Sequence, residues 1–302
     1  MRYITNTKLV YCLSFALFSI FVSSCSNNEK QETELLNSDT LSKNSGKVLN
    51  IKGKLFGIPS PFQTSFLIQK LGLPFEKEML SSTGNLNKFQ SDFQKSLMLG
   101  IYGSDLAYVV LYEKNQESLA YLSACKKLAD DLGISSVFDN KLMDRIFKNI
   151  SNKDSVLVLS SEAFRVSNTI LKSNEHGNFT SLILAGGWIE GINIALRMHS
   201  KNPNQELAKR IGEQKQSVLN ILDILYQYKT EGGFSNLITE FEKLKKIYEG
   251  LNTTYNFQKP ETNAATQTTV IKSKSTIEIS NSQIEEISTI LSGLREKINN
   301  PN

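Results

Sequence analysis

The chain has 302 residues, and its 34 basic and 30 acidic side chains leave a formal charge of only +4. A balance this close to neutral lacks the basic footprint of a nucleic-acid-binding protein, so we expect no nucleic-acid partner. Two histidines exclude a multi-histidine metal site, and the length is enough for a substantial core.

Residues 1–24 have the pattern of an export signal. Arg2 and Lys8 supply positive charge at the start, and residues 9–22 form an uncharged, mostly apolar stretch. A helix over that stretch spans about 21 Å at about 1.5 Å per residue, which is short of the roughly 30 Å hydrocarbon core. A signal peptide therefore fits better than a permanent transmembrane helix.

The stretch closes on Val22-Ser23-Ser24-Cys25, which resembles the bacterial lipobox: an aliphatic residue, two small residues and a cysteine. The motif predicts cleavage before Cys25 and attachment of lipid, with acyl chains such as palmitate, to that cysteine. Ser26 follows the cysteine, and by resemblance to Gram-negative lipoproteins this implies the outer membrane, with the body facing the periplasm or the surface. The alternative is an ordinary secretory signal with a chance cysteine.

The remaining cysteines agree with this interpretation. Cys12 would leave with the signal, so Cys125 stands alone in the mature body and no intramolecular disulfide can form. We interpret Cys125 as a small buried apolar residue. Residues 25–50 are rich in Ser, Asn, Lys and Glu, and we expect them to be a flexible lipidated tether because they cannot bury enough apolar surface.

Residues 51–259 have the spacing of amphipathic helices and predict a helical bundle domain. The first helix begins at Pro61 and stops at Gly72-Leu73-Pro74, and Gly100 and Gly103 are expected to break the chain. Further helices are predicted over 86–99, 104–132, 139–150, 154–172, 179–199, 203–228 and 234–255.

Residues 260–302 have a different composition. The Thr-, Ser- and Lys-rich part, residues 262–280, fits either a loop or a short β-ribbon, and both remain open. Ser282 and Glu285 have the spacing of a capping box for a final helix that ends at Ile298 and packs on the bundle. The predicted fold is therefore all-α, a multi-helix up-and-down bundle or helical array with a flexible N-terminal tether.

No motif for a known chemistry stands out. The chain has no phosphate-binding loop, no dinucleotide-binding fingerprint, no His-Glu-x-x-His and no Gly-x-Ser-x-Gly, so we expect no cofactor and no metal. The most unusual stretch is residues 184–191, with three glycines inside a predicted helix. Each costs about 1 kcal/mol relative to alanine, and the close approach of another backbone is the simplest compensation.

Polar residues at helical spacing form rows on three of the predicted helices. If the rows converge, they form a polar cluster that can bind a small polar ligand or position a carboxylate for acid–base chemistry. The alternative, which we favour, is a solvated face or a satisfied buried ion-pair network that fixes helix register. The candidate residues are Asp105, Tyr108, Tyr112, Glu162, Arg165, Trp188, Glu190 and Arg197.

Four short motifs resemble a group of all-helical lipoproteins of Bacteroidota. They are Gly100-Ile-Tyr-Gly-Ser-Asp-Leu-Ala-Tyr108, Leu128-Ala-Asp-Asp-Leu-Gly133, Ala185-Gly-Gly-Trp-Ile-Glu-Gly191 and Leu294-Arg-Glu-Lys-Ile298. The resemblance would cover most of the mature chain. It implies a helical fold and an envelope location, and it implies no particular activity.

The sequence therefore predicts a lipid-anchored envelope lipoprotein that contacts the membrane through lipid on Cys25. Its body is expected to bind an envelope protein partner or a small ligand. Two alternatives remain: an envelope enzyme that uses Glu162, Glu190 or Asp105 as general acid or base, and a purely structural scaffold of an envelope complex.

Overall fold

The computed structural model describes residues 48–51, 54–57, 61–84, 86–134, 145, 148–149, 177–263, 268–270 and 273–301. The predicted signal with Val22, Ser23, Ser24 and Cys25 lies outside the described residues. So do the helix predicted over 154–172, with Glu162 and Arg165, and almost all of the helix predicted over 139–150. The described residues belong to one compact unit, Ser45–Asn302.

Most of the described chain is helical. The helices are α1 (Pro61–Lys70), α2 (Asp92–Leu111), α3 (Asn115–Asp131), α4 (Gly177–Lys201), α5 (Gln205–Gly212), α6 (Lys215–Tyr226), α7 (Phe234–Glu249) and α8 (Asn281–Asn299). Short 3-10 turns lie at Lys77–Met79 and Leu86–Lys88. The predictions of α1, α4 and α8 are confirmed to within two residues at each helix start.

The predicted break at Gly100 and Gly103 is wrong, because α2 runs through both glycines to Leu111. The helix starts at a reciprocal capping box between Ser91 and Gln94. The chain turns after Leu111 instead, where Glu113 adopts a left-handed conformation with φ 57°. The long helix predicted over 104–132 is therefore the end of α2 followed by α3.

Three further boundaries differ from the sequence-based expectation. The helix predicted over 203–228 is two helices, α5 and α6, and α7 ends at Glu249, six residues before its predicted end. The capping box of α8 is formed by Ser280 and Gln283, where the hydroxyl and the amide oxygen each accept from the other residue's backbone N–H. Ser282 and Glu285 are not its members.

Short antiparallel ribbons make an all-α description too strict. The strands are β1 (Val48–Ile51), β2 (Lys54–Gly57), β3 (Asn252–Asn256), β4 (Glu261–Asn263), β5 (Thr268–Val270) and β6 (Lys274–Glu278). They pair as β1–β2, β3–β6 and β4–β5. Of the two alternatives for residues 262–280, the β-ribbon is the one present, and β1 begins inside the predicted tether.

The central element is α4, which packs against α1, α2, α5, α6 and α8. Helices α2 and α4 run in the same direction, because Gly100 lies opposite Gly187 and, further along both helices, Tyr108 packs with Ile194 and Met198. Among the described helices, α4 alone is long and apolar enough to cross a membrane, but 83% of that apolar stretch is buried inside the body.

Candidate functional site

Helices α2 and α4 approach each other so closely that their backbones touch. A Cβ atom on Gly186 would collide with the carbonyl oxygen of Leu97, and one on Gly100 would collide with that of Ile183. The expectation that the glycines of residues 184–191 permit backbone contact is confirmed at Gly186. This contact brings the polar side chains further along both helices together inside the body.

Glu190 on α4 forms a buried, two-pronged ion pair with Arg295 on α8. The Oε2 atom accepts from Nε at 2.5 Å and Oε1 accepts from Nη2 at 2.8 Å. Glu190 is fully buried, and the Arg295 side chain is 13% exposed. Burial alone would lower the pKa of Arg295, but the hydrogen bonds and charge of Glu190 outweigh it and raise that pKa.

Asp105 on α2 completes the cluster and is also fully buried. Its Oδ2 accepts from the backbone N–H of Ser81 at 3.0 Å, while its Oδ1 has no hydrogen-bond partner. Burial, and next the negative charge of Glu190, raise the pKa of Asp105 well above its usual range. Ser81 links the two carboxylates, because its hydroxyl accepts from Arg295 at 2.9 Å.

The cluster lies against the irregular connection between α1 and α2, residues 73–82, which we call the clamped segment. Apart from one 3-10 turn it lacks regular backbone hydrogen bonds, so its buried peptide groups need side-chain partners. Arg295 and Arg197 both donate to the carbonyl oxygen of Met79 at 2.9 Å, and Arg197 also donates to that of Glu78 at 3.1 Å.

Four tyrosines hold the rest of the clamped segment. Their hydroxyl groups donate to backbone carbonyl oxygens, and the Tyr108 hydroxyl also accepts from the backbone N–H of Glu76 at 3.0 Å. The donor–acceptor pairs are Tyr112 to Leu73 at 2.6 Å, Tyr108 to Pro74 at 3.4 Å, Tyr121 to Ser81 at 2.7 Å and Tyr102 to Ser82 at 2.7 Å. The polar rows of the sequence therefore hold one stretch of backbone in place.

Trp188 is the predicted cluster member that lies elsewhere. Its indole N–H donates to Oε1 of Gln214 at 3.1 Å, and its ring centroid lies 5.5 Å from that of Phe241. Cys125 is buried, which confirms its interpretation as a small core residue, and burial raises the pKa of its thiol. Glu162 and Arg165 are outside the described residues, so their place relative to the cluster is not assigned.

Sequence reasoning missed Arg295, Ser81, Tyr102 and Tyr121. Arg295 had a readable signal, since it lies one residue after Leu294 on the buried side of an amphipathic helix, where a charge needs a buried partner. Ser81 had no such signal, because its contacts with Asp105 and Arg295 depend on the path of an irregular segment.

The cluster has the chemistry of a structural network more than that of an open site. Its carboxylates are fully buried and its cations point at the protein's own carbonyl groups. In the described part of the chain, no three His, Cys, Asp or Glu side chains lie close enough together to hold a metal ion. Nor do the described residues of the cluster offer a separate set of side chains that could hold a cofactor.

Three of the five exposed large apolar side chains among the described residues lie on a different part of the molecule. We call the described residues 252–263, 268–270 and 273–278 the ribbon, since β3 pairs with β6 and β4 pairs with β5 along it. Between the two paired regions, the backbone of Gln258 exchanges two hydrogen bonds with the hydroxyl of Ser273. Every side chain described in β3 is exposed.

Comparison with known proteins gives no further constraint, since no protein-family model, no curated protein and no solved structure matches the chain.

Proposed function

We propose that the protein is an envelope lipoprotein, anchored through lipid on Cys25, whose helical body presents the ribbon to a protein partner. The lipobox pattern Val22-Ser23-Ser24-Cys25 supports the anchor. The outer membrane is the proposed location, because Ser26 rather than aspartate follows the cysteine. The resemblance to Bacteroidota lipoproteins agrees with both.

The observation that supports the binding role is the position of the large apolar side chains that are exposed to solvent. Five such side chains are exposed among the described residues, and three of them lie on the ribbon: Tyr255 at 63%, Phe257 at 67% and Val270 at 52%. The other two, Leu119 and Tyr226, lie on separate helices. Scattered apolar residues are normal on a surface, but aromatic residues grouped on one exposed element are typical of protein interaction sites.

The enzyme hypothesis has weaker support. A carboxylic acid with a raised pKa, as at Asp105, suits a general acid, and perturbed groups cluster at active sites. Structural ion-pair networks shift pKa values in the same way, and here the shift has a structural cause. Asp105 and Glu190 are both fully buried, so neither carboxylate is exposed to solvent.

A photo-crosslinking amino acid at Phe257 tests the binding role in living cells that carry the full lipoprotein. We expect a discrete adduct from position 257, because that side chain faces solvent on the ribbon. The matched control places the same amino acid at Leu119, which is 40% exposed on α3. Equal adducts from both positions, or none from position 257, would contradict the proposal.

A further inference from the structure

We infer that the ribbon pairs with the ribbon of a second copy of this chain, edge to edge through β3. The two copies would form one four-stranded antiparallel sheet in the order β6-β3-β3-β6. This inference rests on the proposed role of the ribbon as a binding element, and it names the partner.

The β3–β6 pair has too few strands to be stable as an isolated sheet. A two-stranded hairpin is marginally stable in water, and three or more strands or a packed face are needed for independent stability. In the part of the chain that the structure describes, β3 and β6 pair only with each other. Ile277 and Ile279 contact α5 near Gly212 at the base, but Tyr255 and Phe257 do not share in that packing.

Of the two outer edges of the ribbon, the β3 edge lacks the residues that normally prevent a strand from pairing with another chain. Proteins protect exposed strand edges with charged residues, above all lysine, and with proline. Residues 252–257 contain neither, and the protective pair Lys259-Pro260 comes only after them. The sequence of β6 has Lys274 at one end and Glu278 at the other, and charged residues of this kind disfavour pairing of that edge with another chain.

Two identical strands pair antiparallel about a two-fold axis, which closes the assembly as a dimer. An axis at Tyr255 places Tyr255 opposite its own copy and Phe257 opposite the partner's Thr253. These are an aromatic pair and an aromatic–β-branched pair, which are among the favourable cross-strand contacts. The exposed aromatic side chains of one ribbon would then be covered by the other.

The contact is small, so we expect it to be weak in dilute solution and stronger on a membrane. Six residues a side bury less than the roughly 1,200 Å² of a standard stable interface. Two copies held on one membrane meet at a high effective concentration, and a weak contact is then sufficient.

Cysteine cross-linking tests the register. In the full lipoprotein in membranes, Tyr255→Cys places two thiols opposite each other, with Cα atoms about 4.5–5.5 Å apart, within the range that a disulfide spans. Cys125 is buried and does not compete. The matched control is Thr276→Cys on β6, an exposed position that the pairing would hold more than about 14 Å from its copy, since three strand spacings separate them.

We expect a disulfide-linked dimer from Tyr255→Cys under mild oxidation and none from Thr276→Cys. A dimer from Thr276→Cys alone, equal dimers from both, or none from either would each overturn the inference. An adduct from position 257 to a different protein, with no Tyr255→Cys dimer, would overturn self-pairing and leave the proposed binding role intact.

A charge variant provides a second readout that needs no oxidation. Tyr255→Lys sets two ammonium groups opposite each other and removes the aromatic pair, so self-association should weaken about tenfold or more. Thr276→Lys adds the same charge to the outer strand and should change association less than twofold. The measurement is fluorescence energy transfer between labelled copies of the lipoprotein in membranes at a fixed protein-to-lipid ratio. Equal effects of the two variants there would contradict β3 pairing.

Discussion

Glu190 is the residue on which most of the buried network depends. It neutralises Arg295, and Arg295 in turn donates to Met79 and Ser81 of the clamped segment. Replacing one partner of a buried ion pair leaves an uncompensated charge, which costs more than the intact pair contributes. The network is therefore sensitive to single substitutions even though the pair itself adds little net stability.

Glu190→Gln should lower the free energy of unfolding by about 3 kcal/mol, because Arg295 keeps its charge and loses its counterion. Urea denaturation followed by circular dichroism measures the change. The matched control is Glu285→Gln on α8, an exposed carboxylate, where a change within about 0.5 kcal/mol is expected. A loss at Glu190 no larger than at Glu285 would contradict the structural role.

Asp105 should make stability fall as pH rises. Its pKa is raised in the folded protein, so above about pH 4, where an unfolded aspartate ionises, the folded state holds one proton more than the unfolded state. The stability that this proton confers is fully present below about pH 4 and is lost as pH rises towards the raised pKa.

Asp105→Asn removes that titration and keeps an oxygen to accept from the backbone of Ser81. The free energy of unfolding of the variant, minus that of the native protein, should therefore increase between about pH 4 and pH 7. Urea titrations across this range provide the measurement. A difference that stays constant with pH would show that Asp105 ionises normally in the folded protein.

At the scale of elements, the contact between α2 and α4 depends on the missing side chain of Gly186. Gly186→Ala should destabilise the body by more than about 2 kcal/mol, since the new Cβ meets backbone and the two helices must separate. The matched control is Gly293→Ala on α8, where a Cβ meets nothing within 4 Å. There the change should stabilise by about 0.5–1 kcal/mol through helix propensity. Equal effects of the two substitutions on thermal unfolding would contradict the close approach.

The same elements show what the sequence could and could not predict. Apolar periodicity, with Pro61 at the start of α1, predicts α1 and α4 to within two residues of their observed starts, because these patterns are local. Glycine is unfavourable in an isolated helix, so Gly100 predicts a break, whereas in the protein Gly100 permits contact with α4. Tertiary packing overrode local propensity at that point.

In the candidate site, too, local patterns predict some of the residues and tertiary packing decides the rest. Asp105 and Glu190 are predictable from helical spacing, because each belongs to a row of polar residues on one face of a predicted helix. The pairing of Glu190 with Arg295 spans 105 positions in the chain, and no local pattern specifies which helix supplies the cation. The role of Tyr121 depends on the irregular path of the clamped segment.

At the scale of the whole molecule, the buried polar groups and the exposed aromatic groups of the described body have different roles. The buried polar groups hold the clamped segment between α1 and α2, and the exposed aromatic groups lie on the ribbon. A body with a paired buried polar network and exposed aromatic groups on one element suits a protein that is held at a membrane and contacts a partner. The in-cell cross-link from Phe257 tests that division.

The central claim is that this body works as a lipid-anchored protein, and metabolic labelling with radiolabelled palmitate tests it most directly. The native protein and the control Cys125→Ala, which alters only the buried thiol, should both carry label in the envelope fraction. Cys25→Ala should carry none, because the acceptor thiol is gone. Label retained in Cys25→Ala, or absent from the native protein, would contradict the account.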